Sequence, residues 1–333
     1  MADKSKLAFA AALVVIVIVA VFLYQSASST GGKQPLRVIH QTWVGDAPVY
    51  LAKEKGFFSK RGLEVEITRV EHASERRALL STGKADVTLE TIDMAIVDVG
   101  SGVPLHFFLQ LDESAGADGV VASQEIVTLQ DLKGKRVGAQ KGEVPYMLLR
   151  YLMKKENISR DSVEFVDLFP DDAGAAFVSG SIDAAGTWEP WLSKAKQRTG
   201  GHILVSSKDA PGVIVDVAAA TKTAVSSRSA DLNAFSCAWL EAIEYIRAHP
   251  QESYAIMAKY YDLTPEEFAD MISGLAWNNA TEHAEFFGSG QALETTKMLA
   301  EIASEDGLTP SQVDASAMAN SKLALEIGGG CAS

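Results

Sequence analysis

The sequence predicts an α/β protein of two lobes with a helical C-terminal portion. Three observations carry this. Between residues 36 and 220, short apolar or alternating runs of strand length alternate with helical patterns, the rhythm of βαβ units with right-handed crossovers and a mostly parallel sheet. That rhythm is broken by small and acidic residues at 112–119 and again at 206–212, where the chain is expected to cross between lobes. The chain has 333 residues and 47% hydrophobic content, enough for two cores at roughly 100–200 residues per domain.

Taken in order, Lys4 and Lys6 precede an unbroken apolar run from Leu7 to Tyr24, and a Ser/Gly-rich segment follows. A secretory apolar region spans about 7–15 residues and a membrane-crossing helix about 17–25. The lysines on the near side would hold the N-terminus in the cytoplasm and export everything after it. Residues 1–28 are therefore read as a signal anchor, or as a signal peptide cleaved near Ser26-Ala27-Ser28, and residues 29–35 as a linker. This places the remainder in the periplasm or on the extracytoplasmic face of the inner membrane, anchored by residues 7–24 unless cleaved.

Order begins at Leu36-Arg37-Val38-Ile39, a strand. Asp46 can cap a helix from Ala47-Pro48 to Lys55, with Gly56 at its left-handed end. Leu63 to Ile67 alternates with period two, a strand with one exposed face. A helix from Ser74 to Ser81, a strand from Ala85 to Leu89, a helix from Ile92 to Val99 and a strand from Val103 to Leu111 complete the first unit. Beyond the acidic crossing come a strand at 120–122, a capped turn at Thr128 to Leu132, a strand near Val137, and a helix from Gly142 to about Glu156. A strand from Val163 to Phe169 and a helix from Asp172 to Val178 follow. Ile182 to Gly186 reads as a buried strand ending at Trp188 and Glu189, with a helix opening at Pro190, where a proline leaves no hydrogen bond unmade. Strands at 202–205 and 213–220 lead into the helical portion, where Leu232, Phe235, Trp239, Ala242, Ile243 and Ile246 form a core face. Thr264 to Glu267 is a capping box. The lobes are drawn as 36–112 plus 217–327 and 113–216, with 328–333 a frayed tail.

The formal charge of −13 argues against nucleic acid, whose affinity rests on Lys and Arg at phosphates. Cys237 lies in an apolar helical pattern and Cys331 in a Gly-rich tail; two distant cysteines make neither a disulfide framework nor a metal site. The six histidines lack metal-ligand spacing, and phosphate-binding, nucleophile-elbow and metalloprotease motifs are absent. No catalytic residue, metal or cofactor is expected.

Trp188 and Glu189 stand at the carboxyl end of a strand, where open α/β sheets bind ligands. A wide apolar face beside a charged acceptor suits a small-molecule pocket; the plainer alternative is a packed surface Trp and a solvated Glu. The other strand-end loops, 41–45, 90–93, 112–118 and 142–146, carry Trp43, Glu90, Asp93, Asp112, Ser114, Glu143 and Tyr146, and Asp216 lies past the second crossing. Only Lys141 brings positive charge to these loops. Inward carboxylates would repel an oxyanion and favour a cationic or N–H-rich ligand, although some of the acids can be solvated or cap helices.

Several segments recur in one known family: Thr42-Trp43-Val44-Gly45, Leu51 to Phe58, Gly62-Leu63-Glu64-Val65, Leu132 to Lys135, Ala176 to Ala185 and Trp188-Glu189-Pro190-Trp191. In this order they make the chain resemble, over about residues 36–325, the nitrate/sulfonate/taurine (NitT/TauT) periplasmic substrate-binding proteins of ABC importers, a family that includes binders of thiamine pyrimidine precursors. The resemblance implies a two-lobed type II periplasmic-binding-protein fold, the Venus flytrap, gripping a solute between lobes. It implies ligand contacts at Trp43, Glu90, Asp112, Ser114, Glu143, Trp188, Glu189 and Asp216. Delivery to an ABC permease and its ATPase follows, with the inner membrane held through the N-terminal helix and the receptor a monomer. Trp43 and Trp188 would cover the solute while Glu189, Glu90 and Asp112 accept its hydrogen bonds. The missing Arg and Lys depart from an oxyanion binder and point to an amine, urea, guanidine or pyrimidine. An enzyme resembling thiamine-pyrimidine synthases is the rival reading, but it needs a reactive histidine and a cysteine-rich stretch, and no cysteine cluster exists.

Overall fold

The computed structural model describes residues 34–189, 191–328 and 331. The apolar run 7–24, the helix start at Pro190 and part of the expected tail lie outside the described residues. Among those described, no helix is long and apolar enough to cross a membrane.

The described residues from 36 onward form one compact unit containing two sheets. The first has six strands in the order β11-β4-β10-β3-β1-β2, namely Leu275–Trp277, Leu105–Ser114, Val215–Thr221, Val87–Thr91, Leu36–His40 and Val65–Arg69. The second has five in the order β7-β6-β8-β5-β9: Glu164–Val166, Arg136–Gly138, Ala184–Trp188, Asp118–Ala122 and His202–Ser206. The chain passes from the first sheet to the second between Ser114 and Asp118 and returns between Ser206 and Val215. Both crossings fall in the small and acidic segments, but the first is only 115–117, because β4 runs on through Asp112 to Ser114.

The sheets are mixed, a correction to the mostly parallel expectation. Strand β1 is parallel to β2 and β3, and β6 to β7 and β8. The strands that carry the chain between sheets run against them: β10 is antiparallel to β3 and β4, and β5 to β8 and β9. A βαβ unit returns the chain in the same direction, whereas a strand that leaves for another sheet is under no such rule. Period-two reading cannot detect this, since alternation does not encode strand direction.

The helices used below are α1 (Pro48–Glu54), α2 (Ala73–Ser81), α3 (Ile92–Gly100), α4 (Val144–Lys155), α5 (Pro170–Val178), α6 (Trp191–Lys194), α7 (Ser229–Ala248), α8 (Gln291–Glu305) and α9 (Ser321–Gly328). The six apolar residues of α7 are all buried in the core beside the first sheet, as their spacing requires. Gly56 takes φ 72°, the left-handed turn expected after α1. Asp46 does not cap α1; its carboxylate lies 3.4 Å from His40 Nδ1, and Ala47 occupies the cap position.

The cysteines are corrected too. Cys237 on α7 and Cys331 form a disulfide across 94 residues of sequence. Just before the tail expected to fray, α9 packs on α7 and β4, and Gly328, assigned to that tail, is its last residue. Only the tertiary fold brings the two thiols together, so spacing gave no sign of it. The C-terminal portion also contains β11 and a helix over Ala280–Gly288, where an all-helical end with fewer helices was expected.

Candidate functional site

A cavity of about 610 Å³ opens where strand ends of both sheets meet. The loop after β1 brings Gln41, Thr42 and Trp43, and the segment entering α2 brings Glu71, His72, Ala73 and Arg76. Met94 comes from α3 and Glu143 from the start of α4. Phe169 and Asp171 stand at the start of α5, Trp188 and Glu189 at the end of β8, and Tyr261 on the C-terminal portion. The aromatic walls are fixed by contacts among the lining residues themselves. Tyr261 donates its hydroxyl to the Trp43 carbonyl at 2.7 Å, Trp188 donates its indole N–H to Asp171 at 2.9 Å, and Phe169 meets Trp188 edge-on with ring centres 5.6 Å apart. Such pairs hold large side chains in one rotamer, so their faces are presented without further ordering.

Of the residues singled out in the sequence, Trp43, Glu143, Trp188 and Glu189 line this cavity. Glu189 has a local partner, since its two carboxylate oxygens accept from the backbone N–H and the hydroxyl of Ser193, at 3.2 and 2.9 Å, in the first turn of α6. Glu90 and Asp93 are buried at the end of β3 and the start of α3. Asp112 and Asp216 face one another in the β4–β10 register and are buried. Gly45 packs so tightly beside Asp112 and the Trp43 indole nitrogen that an added Cβ would collide with both. Ser114 is buried with its hydroxyl 2.9 Å from that of Ser207.

Tyr146 is turned elsewhere. It is fully buried and donates to Asp306 Oδ2 at 2.8 Å, beside the two hydrogen bonds from Arg150 at 2.6 and 2.9 Å. On a helix, residues 146 and 150 share one face, and that face meets the end of α8. Lys141 is likewise spent on Asp306, donating to its backbone carbonyl at 3.2 Å.

The cation of the cavity is one the sequence reading passed over. Arg76 is 1% exposed and lines the cavity. Its Nη1 donates to the Glu71 carbonyl at 3.1 Å, and its Nε lies 3.8 Å from Glu90 Oε2, beyond hydrogen-bond reach. The neighbouring Arg77 turns away from the cavity and donates to Asp98 at 2.9 Å. A usable signal was present: buried Leu80 lies one turn beyond Arg76, marking that side of α2 as inward.

Burial governs the acids. It pushes Glu90 well above the usual carboxylate range, opposed by Arg76. Asp93 rises to about 6 through burial, opposed by Thr91 and by backbone N–H groups at the start of α3. Asp118 rises to about 7, again through burial. Burial followed by the charge of Asp46 raises Asp112, and burial followed by the charge of Asp112 raises Asp216, both well above the ordinary value. Glu143 is raised by burial and by Asp93, with Arg76 drawing it down. Burial thus disfavours the charged form of several of the acids counted in the sequence, the usual consequence of burying like charges together. Among the described residues no group of His, Cys, Asp and Glu is arranged to hold a metal.

Residues 44–253 match the NMT1/THI5-like family. A Bacillus subtilis (strain 168) chain provisionally named an aliphatic sulfonates-binding protein is 25% identical over 204 residues, 58% of this chain and 61% of that one. The chain thus spans less than two thirds of that relative's length. A Haemophilus influenzae chain provisionally named a thiamine biosynthesis protein is 25% identical over 287 residues, covering 84% of this chain and 88% of its own length. Among solved structures, the periplasmic aliphatic sulphonate binding protein of Escherichia coli superposes with a TM-score of 0.68 at 23% identity, covering 85% of this chain and 96% of that one. That likeness shows a shared periplasmic-binding-protein fold.

Proposed function

We propose, from the premise that this chain belongs to the NMT1/THI5-like family, that it is an extracytoplasmic receptor that closes two lobes on a small polar solute and passes it to an ABC permease with its ATPase. Its place among binding proteins rather than enzymes is shared with the sulfonate-binding relatives. The two cysteines, joined to each other, supply no reactive cluster of the kind the rival enzymatic reading needs.

The observation that carries the ligand class is the make-up of the cavity wall: two indoles, a phenyl and a phenol beside Glu71, Glu143, Asp171 and Glu189. Aromatic faces next to fixed acceptors hold flat, N–H-rich or cationic groups by stacking, cation–π attraction and hydrogen bonds. Arg76 does not reverse this preference, because Glu90 stands beside it and four acids remain. The solute is thus an amine, urea, guanidine or pyrimidine, held between Trp43 and Trp188 with its donors toward Glu143 and Glu189. The lobes are built on the two sheets, 36–114 plus 215–327 and 118–206, hinged at the two crossings, because a few loop dihedrals there suffice for closure. The receptor acts as a monomer, and the apolar run 7–24 either tethers it to the inner membrane or is removed on export.

A thermal-shift screen over amines, ureas, guanidines, pyrimidines and sulfonates tests the reading. A cognate solute at 100 times its Kd should add about 2.7 kcal/mol of stability. A response to sulfonates with silence from every donor-rich class would overturn the ligand assignment, and silence from all five would overturn the receptor role.

A further inference from the structure

A buried guanidinium with idle N–H groups at a cavity wall is unfavourable unless something accepts from it. Arg76 is in that position. Its Nε and Nη2 find no hydrogen-bond partner among the described residues, although the side chain is all but fully buried. Its own helix points the same way. The nine-residue α2 begins at this wall with His72 and Ala73, both lining the cavity, and no side chain caps that end. The first N–H groups of a helix are unsatisfied from within and carry the positive end of its dipole. Glu71 stands at the same wall, but its two carboxylate oxygens accept from the backbone N–H and the hydroxyl of Thr42, so this wall offers donors, while Glu143 and Glu189 offer acceptors elsewhere in the same cavity.

We propose that Arg76 is a specificity-determining residue that reads an acceptor on the solute, an oxyanion or a carbonyl oxygen, so that the ligand is bipolar. Its donor-rich end goes to Glu143 and Glu189, and its acceptor end to Arg76 and the start of α2. This rests on the reading of the cavity as a solute site and adds a second pole to it. Glu90 has the role of holding the guanidinium in place: at 3.8 Å it balances the charge without occupying the N–H groups that the solute would use. A wholly cationic ligand would leave those donors unmatched, and a simple anion would leave the acids unmatched.

Isothermal titration with three matched compounds separates the possibilities: 3-guanidinopropionate carries both poles, propylguanidine only the donor, butyrate only the acceptor. A fourth, 3-guanidinopropionamide, replaces the oxyanion by a carbonyl. The wild-type chain should bind 3-guanidinopropionate at least tenfold more tightly than propylguanidine, as a hydrogen bond to a charged group inside a protein warrants. Arg76→Lys should keep part of that ratio. The paired substitution Arg76→Gln with Glu90→Gln removes both charges, so no lone ion is left buried, and should bring the ratio close to one. Circular dichroism and the ligand-free thermal midpoint establish that each variant is folded. Equal binding of 3-guanidinopropionate and propylguanidine by the wild type overturns the acceptor role of Arg76 and leaves the donor reading standing. A full ratio in the folded double variant does the same. Tight binding of butyrate with none of propylguanidine overturns the donor reading and the bipolar ligand together, as does silence from all four compounds.

Discussion

Glu189 shows how one side chain can serve structure and site together. Its carboxylate receives two hydrogen bonds from Ser193, the arrangement by which an acid before a helix satisfies its first turn, and it also borders the cavity. Glu189→Gln keeps an acceptor for Ser193 but removes the charge. Affinity for a cationic solute should fall about tenfold or more, in keeping with a charged hydrogen bond worth roughly 1.5–3 kcal/mol. The ligand-free thermal midpoint should move by only a few degrees, since an altered cap is worth about 1 kcal/mol. Titration calorimetry beside a thermal scan measures both; unaltered affinity would leave Glu189 with its capping role alone. Trp43, Glu143, Trp188 and Glu189 were legible because they stand at strand ends, where the backbone direction alone sends side chains into the crevice. Arg76 was not, because a charged residue on a short helix reads as exposed until the packing of α2 is known. Nor could sequence separate Tyr146 from the site: only the approach of Asp306, 160 residues away, gives its hydroxyl a partner.

At the scale of elements, the same limit appears in strand direction and in the cysteines. The alternating β2 and the apolar face of α7 follow from periodicity, which is a local property. The antiparallel course of β10, and the docking of α9 on α7 and β4, depend on partners far away in the chain. The Cys237–Cys331 link closes a loop of 94 residues, for which the loss of unfolded-chain entropy corresponds to about 4.7 kcal/mol. Replacing both cysteines by serine should lower the thermal midpoint by several degrees and leave ligand affinity within about twofold, since the link lies on α7 and the tail rather than at the cavity. Scanning calorimetry with and without solute reads both quantities. A midpoint that does not move would mean that α9 holds its place through packing alone.

For the whole molecule, the buried acids set the response to pH. Asp93 at about 6 and Asp118 at about 7 both lie above the 3.8 of a free aspartate, so folding takes up protons. A group whose pKa is raised by folding stabilises below its unfolded value and loses that contribution as pH rises through the folded value. The ligand-free protein should therefore melt at a higher temperature near pH 5 than near pH 8. A cationic solute should show the reverse dependence, binding more tightly as the pH rises, because Glu143, which lines the cavity, is raised by burial and gains its charge as it loses its proton. The ligand-induced thermal shift should grow from pH 5.5 to 7.5. A shift that shrinks with rising pH would assign the site to an anion.

The sequence by itself determined the alternation of strands and helices, both crossings between sheets, the family, and the aromatic and acidic character of the strand-end loops. All of these are carried by short-range patterns: hydrophobic period, capping residues, and turn residues at fixed spacing. Only the tertiary structure decided which strands run antiparallel, that Cys237 meets Cys331, that Tyr146 belongs to Asp306, and that Arg76 is the cation in the cavity. Each of these is a pairing between groups distant in sequence, chosen by burial and geometry once the elements pack. Burial also raises the proton affinity of several acids that the sequence counts simply as charges.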